Sequence, residues 1–224
     1  MIEDVDLIVF DWDGTLFDSI GWIVSCLRRA AEETGLPVPS DRAARSVIGL
    51  SLAASMERLF PGQSSAAIDQ LVACYRRHYH DPSAPRIRLY EGAFRQLELL
   101  RASGHLLAVA TGKARSGLDL ALKETGTGDF FASTRCADET APKPDPCMVF
   151  EILAELEVPA ERALLVGDSV HDLEMAQSAG LRSVAVATGA SPLEELLSFA
   201  PIFCLEDIRE LSALLGQNVV ILNN

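Results

Sequence analysis

Short apolar runs alternate with amphipathic helical patterns along most of this 224-residue chain. The apolar runs have the length of strands and few polar residues, which is typical of parallel strands that are buried on both faces. They lie at residues 5–10, 106–110, 130–133, 163–166, 183–187 and 202–204. The alternation predicts an α/β fold built on a doubly wound parallel sheet, because helices can then cover both faces of the sheet.

Between these runs, apolar residues recur at spacings of three and four, which predicts helices. The predicted helices lie at residues 91–101, 114–124, 145–157, 170–179, 192–199 and 207–215. The helix at 170–179 has clear ends in the sequence. Asp168 and Ser169 are good N-cap residues, and Gly180 suits the position after the last turn.

The segment between the first and second predicted strands has no strand pattern and is too long for a simple crossover. Its amphipathic patterns predict four helices that pack as a small bundle. The serines that precede these helices are Ser19, Ser40, Ser51 and Ser64 or Ser65. A proline-containing stretch at residues 81–85 indicates a linker. We therefore expect an α/β core of residues 1–17 and 86–224 with a helical insertion at residues 18–85.

The composition limits the partners that this chain can bind. Its formal net charge of -13 argues against nucleic acid and anionic membranes, whose binding needs clustered Lys and Arg. No stretch approaches the roughly 18 apolar residues of a membrane span, and the acidic first residues are unlike a secretory signal, so we expect a cytoplasmic protein. The five scattered cysteines include no Cys-x-x-Cys pair and indicate neither a disulfide framework nor a zinc site.

Two pairs of aspartates stand where predicted strands end. Asp11 and Asp13 follow the first strand, and Asp168 and Asp172 follow the fourth. Open α/β sheets bind their ligands at the carboxyl ends of the strands, so we expect the two pairs to converge there. Like charges about 4 Å apart repel by roughly 4 kcal/mol at an effective dielectric near 20. A bound divalent cation would offset this repulsion.

Two further signals are weaker when each is taken alone. Thr111 and Gly112 follow the second predicted strand and offer a hydroxyl and an accessible backbone N–H just before a helix, which suits a bound phosphate. An ordinary turn is the alternative. Lys143 lies between two prolines that stiffen the backbone before the next helix. A surface lysine in a rigid loop is the alternative here.

Together these signals resemble the motif order of the haloacid dehalogenase superfamily. The matching positions are Asp11-x-Asp13-Gly14-Thr15-Leu16, Thr111 after its strand, Lys143 in a Lys-Pro-x-Pro setting, and Gly167-Asp168-x-x-x-Asp172. The resemblance implies that residues 1–17 and 86–224 form a Rossmann-like catalytic core. It also implies that the insertion at residues 18–85 is an α-helical cap domain of the C1 type. The whole chain is similar to phosphoglycolate phosphatase-like members.

The resemblance also implies a two-step mechanism. Asp11 would attack the substrate phosphorus and form an aspartyl-phosphate, as carboxylate nucleophiles do. Asp13 would protonate the leaving alkoxide and then deprotonate the water that hydrolyses the intermediate. Mg²⁺ would be held by the Asp11 carboxylate, the main-chain carbonyl of Asp13 and Asp168, since all-oxygen ligation suits this ion.

Further positions carry implied roles around the phosphoryl group. Thr111 and the Gly112 N–H would bind its oxygens, and Lys143 would neutralise both the phosphate and Asp11. Asp172 would support the metal-bound waters or orient Lys143. The alternative for Asp172 is a carboxylate that only stabilises the N-terminus of its helix.

His171 and the glycine-containing turn at residues 47–51 carry weaker functional signals. His171 lies at a variable position of the last motif and is assigned no role. The glycine-containing turn at residues 47–51 either reaches the active site, where it would help to select substrate, or is an ordinary turn between helices.

We expect a Mg²⁺-dependent phosphatase that hydrolyses a small phosphomonoester, with a phosphoglycolate-like substrate. Phosphate chemistry is favoured because the dehalogenase members of the superfamily lack the aspartate found here at Asp13. A sugar phosphomutase or a pyrophosphatase on the same core is one alternative, and a non-catalytic binding or regulatory module is another. The expected partner is a small phosphorylated metabolite, and the sequence carries no readable mark of the oligomeric state.

Overall fold

A parallel β-sheet lies at the centre of the protein. The computed structural model describes residues 2–81, 83 and 87–216 of the chain. The strands are β1 (Leu7–Phe10), β2 (Leu106–Thr111), β3 (Ser133–Cys136), β4 (Ala163–Gly167), β5 (Arg182–Val186) and β6 (Phe203–Leu205). Within the described residues they form one sheet in the order β3-β2-β1-β4-β5-β6, each strand parallel to its neighbours. This is the strand order of a Rossmann-like sheet.

Helices cover both faces of the sheet, which confirms the predicted doubly wound α/β fold. In chain order they are α1 (Ile20–Glu33), α2 (Asp41–Arg45), α3 (Leu52–Leu59), α4 (Ser65–Tyr79), α5 (Ala93–Ala102), α6 (Arg115–Thr125), α7 (Cys147–Leu156), α8 (Val170–Ala179), α9 (Leu193–Leu197) and α10 (Leu211–Leu214). One apolar cluster packs α5, α6 and α10 against one face, and another packs α7 and α8 against the other. Among the described residues, no helix combines the length and apolar character that a membrane crossing requires.

The central strand β1 is buried from both sides. Leu7 and Val9 belong to one of these two clusters, and Ile8 and Phe10 belong to the other. Each of these side chains has no exposed surface. Because β1 is packed in this way, the residue that follows it, Asp11, starts from a rigid support.

The third strand does not lie where the sequence pattern predicts it. The pattern predicts a strand at residues 130–133, whereas β3 begins at Ser133 and the residues before it include a 3₁₀ turn, Gly128–Phe130. The Phe130 ring packs edge-on against Phe94 of α5 at 5.2 Å, so its apolar character serves helix packing. β3 is an edge strand, where partly exposed polar residues are tolerated.

Helices α1 to α4 and the turn after α2 form an apolar cluster distinct from those on the sheet, and Ala190, which follows β5, packs into it. Ser40, Ser51 and Ser64 cap α2, α3 and α4 as predicted, since each hydroxyl accepts a backbone N–H in the first turn of its helix. The prediction for the first serine is wrong. Ser19 precedes α1 without capping it and instead donates its hydroxyl to Asp13 at 2.6 Å.

The segments that precede α1 and follow α4 lie side by side. Phe17 forms an antiparallel bridge with Leu89. The Asp18 N–H donates to the Arg88 carbonyl oxygen at 2.9 Å. The domain boundary expected between residues 85 and 86 lies outside the described residues, as do parts of the expected linker and residues 217–224 of the expected core.

Candidate active site

Three strands end beside one another with polar side chains. Asp11 directly follows β1, Thr111 is the last residue of β2, and Asp168 directly follows β4. Because β1 pairs with both β2 and β4, these ends meet where the strand order reverses. Ligands of open α/β sheets bind in the crevice at such a point. The structure therefore brings the motifs singled out in the sequence to one place.

Asp11, Asp168 and Asp172 form a buried acidic cluster. Each residue is at most 4% exposed, and one carboxylate oxygen from each lies within 4.8 Å of the others. Neighbouring glycines permit this packing, since a Cβ on Gly14 or Gly189 would lie 2.3 Å or 1.8 Å from an Asp168 oxygen. A larger residue at either position would displace the carboxylate.

Lys143 supplies positive charge inside this cluster. Its ammonium lies 2.5 Å from an Asp11 oxygen and 2.5 Å from an Asp172 oxygen, and its side chain is fully buried. The second oxygen of Asp172 accepts hydrogen bonds from the Ser169 N–H and hydroxyl, so Asp172 holds Lys143 and also closes the capping box of α8. Burial by itself lowers the pKa of Lys143, but the two carboxylates raise it above its ordinary value, so the lysine stays charged.

The acidic cluster keeps an excess of negative charge, because its carboxylates outnumber the lysine. Burial raises the pKa of Asp11 to about 7, although the nearby Lys143 acts in the opposite direction. Burial, together with the charges of Asp11 and Asp172, also raises the pKa of Asp168 well above its ordinary value. Burial is the largest cause of both shifts and the charges of neighbouring carboxylates add to it, so a bound cation would favour the ionised forms.

A divalent cation fits this set of donors. Lys143 donates to one Asp11 oxygen, and no described residue hydrogen-bonds the other. Asp168 is oriented by the Thr15 hydroxyl and by the Ala190 N–H, each at 2.7 Å. Hard oxygen ligands that are themselves held by hydrogen bonds suit Mg²⁺.

The Asp13 side chain is held by groups outside the acidic cluster. One of its oxygens accepts the Ser19 hydroxyl at 2.6 Å, and the other lies 2.9 Å from the Lys113 ammonium. Lys113 also donates to the Tyr79 hydroxyl at 3.1 Å and lies 4.9 Å from the centre of the Tyr79 ring. Tyr79 ends α4, so this chain of contacts links the core to the inserted helices.

Lys113 is a site residue to which the sequence reasoning assigned no role. Its partners Asp13 and Tyr79 are distant in sequence, so no local pattern pairs them. One signal was available, because Lys113 lies just before the N-terminus of α6, where the helix dipole disfavours a cation. Although burial lowers the pKa of Lys113, the Asp13 charge raises it above its ordinary value.

Thr111 and Gly112 line the side of the site nearest to the inserted helices. The Thr111 hydroxyl oxygen accepts the Lys113 N–H at 3.2 Å, and no described residue accepts the hydroxyl proton. A Cβ on Gly112 would lie 2.4 Å from the carbonyl oxygen of Gly49. The turn at residues 47–51 therefore contacts the site, which the sequence left open.

His171 on α8 contacts the residue just before this turn, although the sequence assigned His171 no role. Its Nε2 lies 3.1 Å from the Ser46 carbonyl oxygen, and because a carbonyl only accepts, this nitrogen carries the proton. Burial lowers the pKa of His171, which favours the neutral ring. A Cβ on Gly49 would lie 2.8 Å from the Ser169 hydroxyl, so the turn is packed closely against the core.

A cavity of about 330 Å³ lies between these core groups and the inserted helices. Asp11, Asp13 and Thr111 border it on the core side. The opposite side is mainly apolar and includes Ile23, Leu27, Val47, Leu52, Val72 and Tyr75. The cavity has the size of a small-molecule site.

Comparison with known proteins gives a consistent result. A family model described as haloacid dehalogenase-like hydrolase matches residues 8–186. The chain is 33% identical over 201 residues to "Probable phosphatase IndB" of Dickeya dadantii, covering 87% of this chain and 86% of that protein. It is 28% identical over 213 residues to pyrophosphatase PpaX of Bacillus velezensis, covering 95% and 97%. A crystal structure of a predicted phosphoglycolate phosphatase from Haemophilus somnus superposes with a TM-score of 0.86 at 22% identity, covering 97% and 100%, which is a likeness of fold.

Proposed function

Because the chain belongs to the haloacid dehalogenase-like hydrolase family, we propose that it is a Mg²⁺-dependent phosphatase of a small phosphomonoester. The observation that carries this proposal is the buried group of Asp11, Asp168 and Asp172 around Lys143 at the ends of neighbouring strands. Such a group can hold a cation and a phosphoryl group while it presents one carboxylate as a nucleophile. The relatives named as a probable phosphatase and a pyrophosphatase agree with this chemistry.

Asp11 is the proposed nucleophile. Lys143 holds one of its oxygens, which is also the oxygen proposed to face the ion, and the other is free to attack phosphorus. The bond from Asp11 to phosphorus forms as the bond from phosphorus to the leaving oxygen breaks, which gives an aspartyl-phosphate. Lys143 offsets the charge on the phosphoryl oxygens, and the Thr111 hydroxyl and Gly112 N–H donate hydrogen bonds to them.

Asp13 is the proposed proton carrier, since its side chain borders the cavity that would hold the leaving group. It gives a proton to the leaving oxygen, so that an alcohol departs. It then takes a proton from the water that attacks phosphorus, the bond from Asp11 to phosphorus breaks, and inorganic phosphate is released. Ser19 and Lys113 are the proposed positioning residues for the Asp13 carboxyl group.

The proposed ligands of Mg²⁺ are the Asp11 and Asp168 carboxylates and the main-chain carbonyl of Asp13. When bound, the ion supplies charge neutralisation at the phosphoryl oxygens. Asp172 is less suited to direct ligation, because Lys143 and Ser169 already engage its oxygens. Its proposed role is to orient Lys143.

The proposed role of residues 18–85 is that of a cap over the core formed by residues 1–17 and 86–224. The separate apolar cluster of α1 to α4 and the adjacent entry and exit segments support this division. The contacts of the turn at residues 47–51 and of Tyr79 with the site support a closed arrangement. Opening would admit substrate, and closing would exclude bulk water.

The proposal is tested by measuring phosphate release from a panel of phosphomonoesters with and without Mg²⁺. We expect hydrolysis that requires the ion and that falls by orders of magnitude in Asp11→Asn. Asp69→Asn changes an exposed aspartate on α4 and is the matched control, with activity expected near wild type. Full activity in Asp11→Asn, or no hydrolysis of any ester, would contradict the proposal. An isomerised sugar phosphate would indicate a phosphomutase, and orthophosphate from pyrophosphate a pyrophosphatase.

A further inference from the structure

The cavity beside Asp11 has an apolar wall on the side away from the sheet. Ile23 and Leu27 on α1 and Val72 and Tyr75 on α4 contribute to this wall. A phosphoryl group held at the strand ends would direct its ester oxygen away from the sheet, toward this wall. The wall therefore determines which leaving groups the site can accept.

The cations of the site are already engaged. Lys143 is held by two carboxylates of the acidic cluster, and Lys113 is held by Asp13. Arg76 and His80 also border the cavity, but both are exposed at the surface, where solvent screens charge. A leaving group with a carboxylate or a second phosphate would lose hydration without gaining a buried cation from the described residues, which costs free energy.

Tyr75 adds an aromatic face and one polar group to the wall. Its ring stacks on Tyr79 with the ring centres 5.7 Å apart. No described residue hydrogen-bonds the Tyr75 hydroxyl. Burial raises the pKa of Tyr75 well above its ordinary value, so the hydroxyl is neutral and can serve an uncharged ligand as donor or acceptor.

We propose that the leaving group of the substrate is uncharged and contains an aromatic ring or another bulky apolar part. It is neither the carboxymethyl group of phosphoglycolate nor the phosphate of pyrophosphate. This inference rests on the proposed phosphatase function and specifies its substrate class. The volume agrees, since about 330 Å³ is many times the roughly 10–15 Å³ that one water needs in a cavity. A two-carbon group leaves most of that space without contacts, whereas an aromatic ring gains them.

Benzyl phosphate and ethyl phosphate provide a matched pair of substrates, because both release a primary alcohol and differ mainly in apolar bulk. We expect kcat/KM for benzyl phosphate to exceed that for ethyl phosphate by at least about 100-fold, since each methylene in an apolar pocket contributes about tenfold or more. Phosphoglycolate and pyrophosphate should be poorer than benzyl phosphate. Equal or better turnover of ethyl phosphate, phosphoglycolate or pyrophosphate would overturn the inference.

Binding of non-hydrolysable phosphonates tests the pocket without turnover. By titration calorimetry with Mg²⁺ present, benzylphosphonate should bind at least about tenfold more tightly than methylphosphonate, for the same reason. If no ester is hydrolysed but this preference holds, the proposed function fails while the pocket assignment stands. If esters are hydrolysed but the preference is missing, the inference fails while the proposed function stands.

A pair of variants on α4 locates the preference in the structure. Val72→Thr places a hydroxyl in the apolar wall and should lower kcat/KM for benzyl phosphate by about fivefold or more, with a smaller effect on ethyl phosphate, because an unpaired hydroxyl is costly in contact with an apolar group. Ala73→Thr makes a similar change on the exposed face of α4 and should leave the ratio of the two substrates unchanged. An unchanged ratio in Val72→Thr would count against the proposed wall.

Discussion

Replacing Lys143 by methionine would remove a charge from the buried acidic cluster while keeping much of the side-chain length. The ammonium lies 2.5 Å from an oxygen of Asp11 and 2.5 Å from an oxygen of Asp172. At an effective dielectric of about 20, each contact is worth about 7 kcal/mol of attraction before the cost of removing the ions from water. Removal of one partner from a buried ion pair costs about 3–5 kcal/mol, because a charge is left unpaired. We expect a loss in this range for the metal-free protein.

Thermal unfolding in the presence of EDTA measures this loss. For a domain of this size, about 1 kcal/mol shifts Tm by about 2–4 °C, so the expected fall at pH 8 is about 6–20 °C. The fall should shrink toward pH 6, because protonation of Asp11 and Asp168, whose pKa values burial raises, relieves the repulsion within the cluster. Phosphatase turnover should also fall by orders of magnitude with Mg²⁺ present, since the variant lacks the Lys143 charge beside Asp11.

Lys123→Met is the matched control, because Lys123 is an exposed lysine on α6 and the substitution is the same. Its stability should stay within about 0.5 kcal/mol of wild type. If Lys143→Met is as stable as wild type at pH 8, or if it turns over substrate at a near wild-type rate, the reasoning about the acidic cluster is refuted.

Other perturbations test the remaining parts of the site separately. Lys113→Met should lower kcat by about 100-fold, a typical contribution of a positioned acid or base, because Asp13 loses the cation that positions it. Lys113→Arg should restore part of the rate. Equal kcat values for Lys113→Met and wild type in steady-state assays would exclude this role. Gly112→Ala would place a Cβ 2.4 Å from the carbonyl oxygen of Gly49 in the turn at residues 47–51, so KM should rise. A Cβ on Gly21 meets open space, so Gly21→Ala should leave KM unchanged. Equal KM values for the two variants would contradict the close contact. Metal-free protein should lose stability as pH rises through about 7, because the folded pKa of Asp11 is raised to about 7 and its stabilising contribution is full only below the ordinary aspartate pKa. Mg²⁺ should remove this dependence, and a Tm that does not change with pH in EDTA would be the opposite result.

The fold could be predicted where local signals act alone. The helix α8 begins after Ser169 and ends before Gly180 as expected, because cap residues act within one turn of a helix. The edge strand β3 could not be located in this way. Its Arg135 is satisfied by ion pairs with Glu151 and Glu155 on α7, and those partners are brought beside it only by the folded sheet.

The candidate site shows the same division between local and distant information. The positions of Asp11 and Asp168 at strand ends could be predicted, because a buried strand and the polar residue after it are adjacent in sequence. The contact of Lys113 with Asp13 and Tyr79 could not, since it joins the ends of two strands and a helix of the insertion. Whether the turn at residues 47–51 reaches the site likewise depends on how the inserted helices dock.

The neighbouring positions of Phe17 and Leu89, where the inserted segment departs and returns, have a consequence for engineering. A foreign segment whose two ends lie equally close together could be grafted at this point while the strands keep their places. Swapping the helices in this way would exchange the apolar wall for another surface and leave Asp11 and Lys143 untouched. New preferences for the alcohol portion of a substrate are therefore within reach without redesign of the reacting groups.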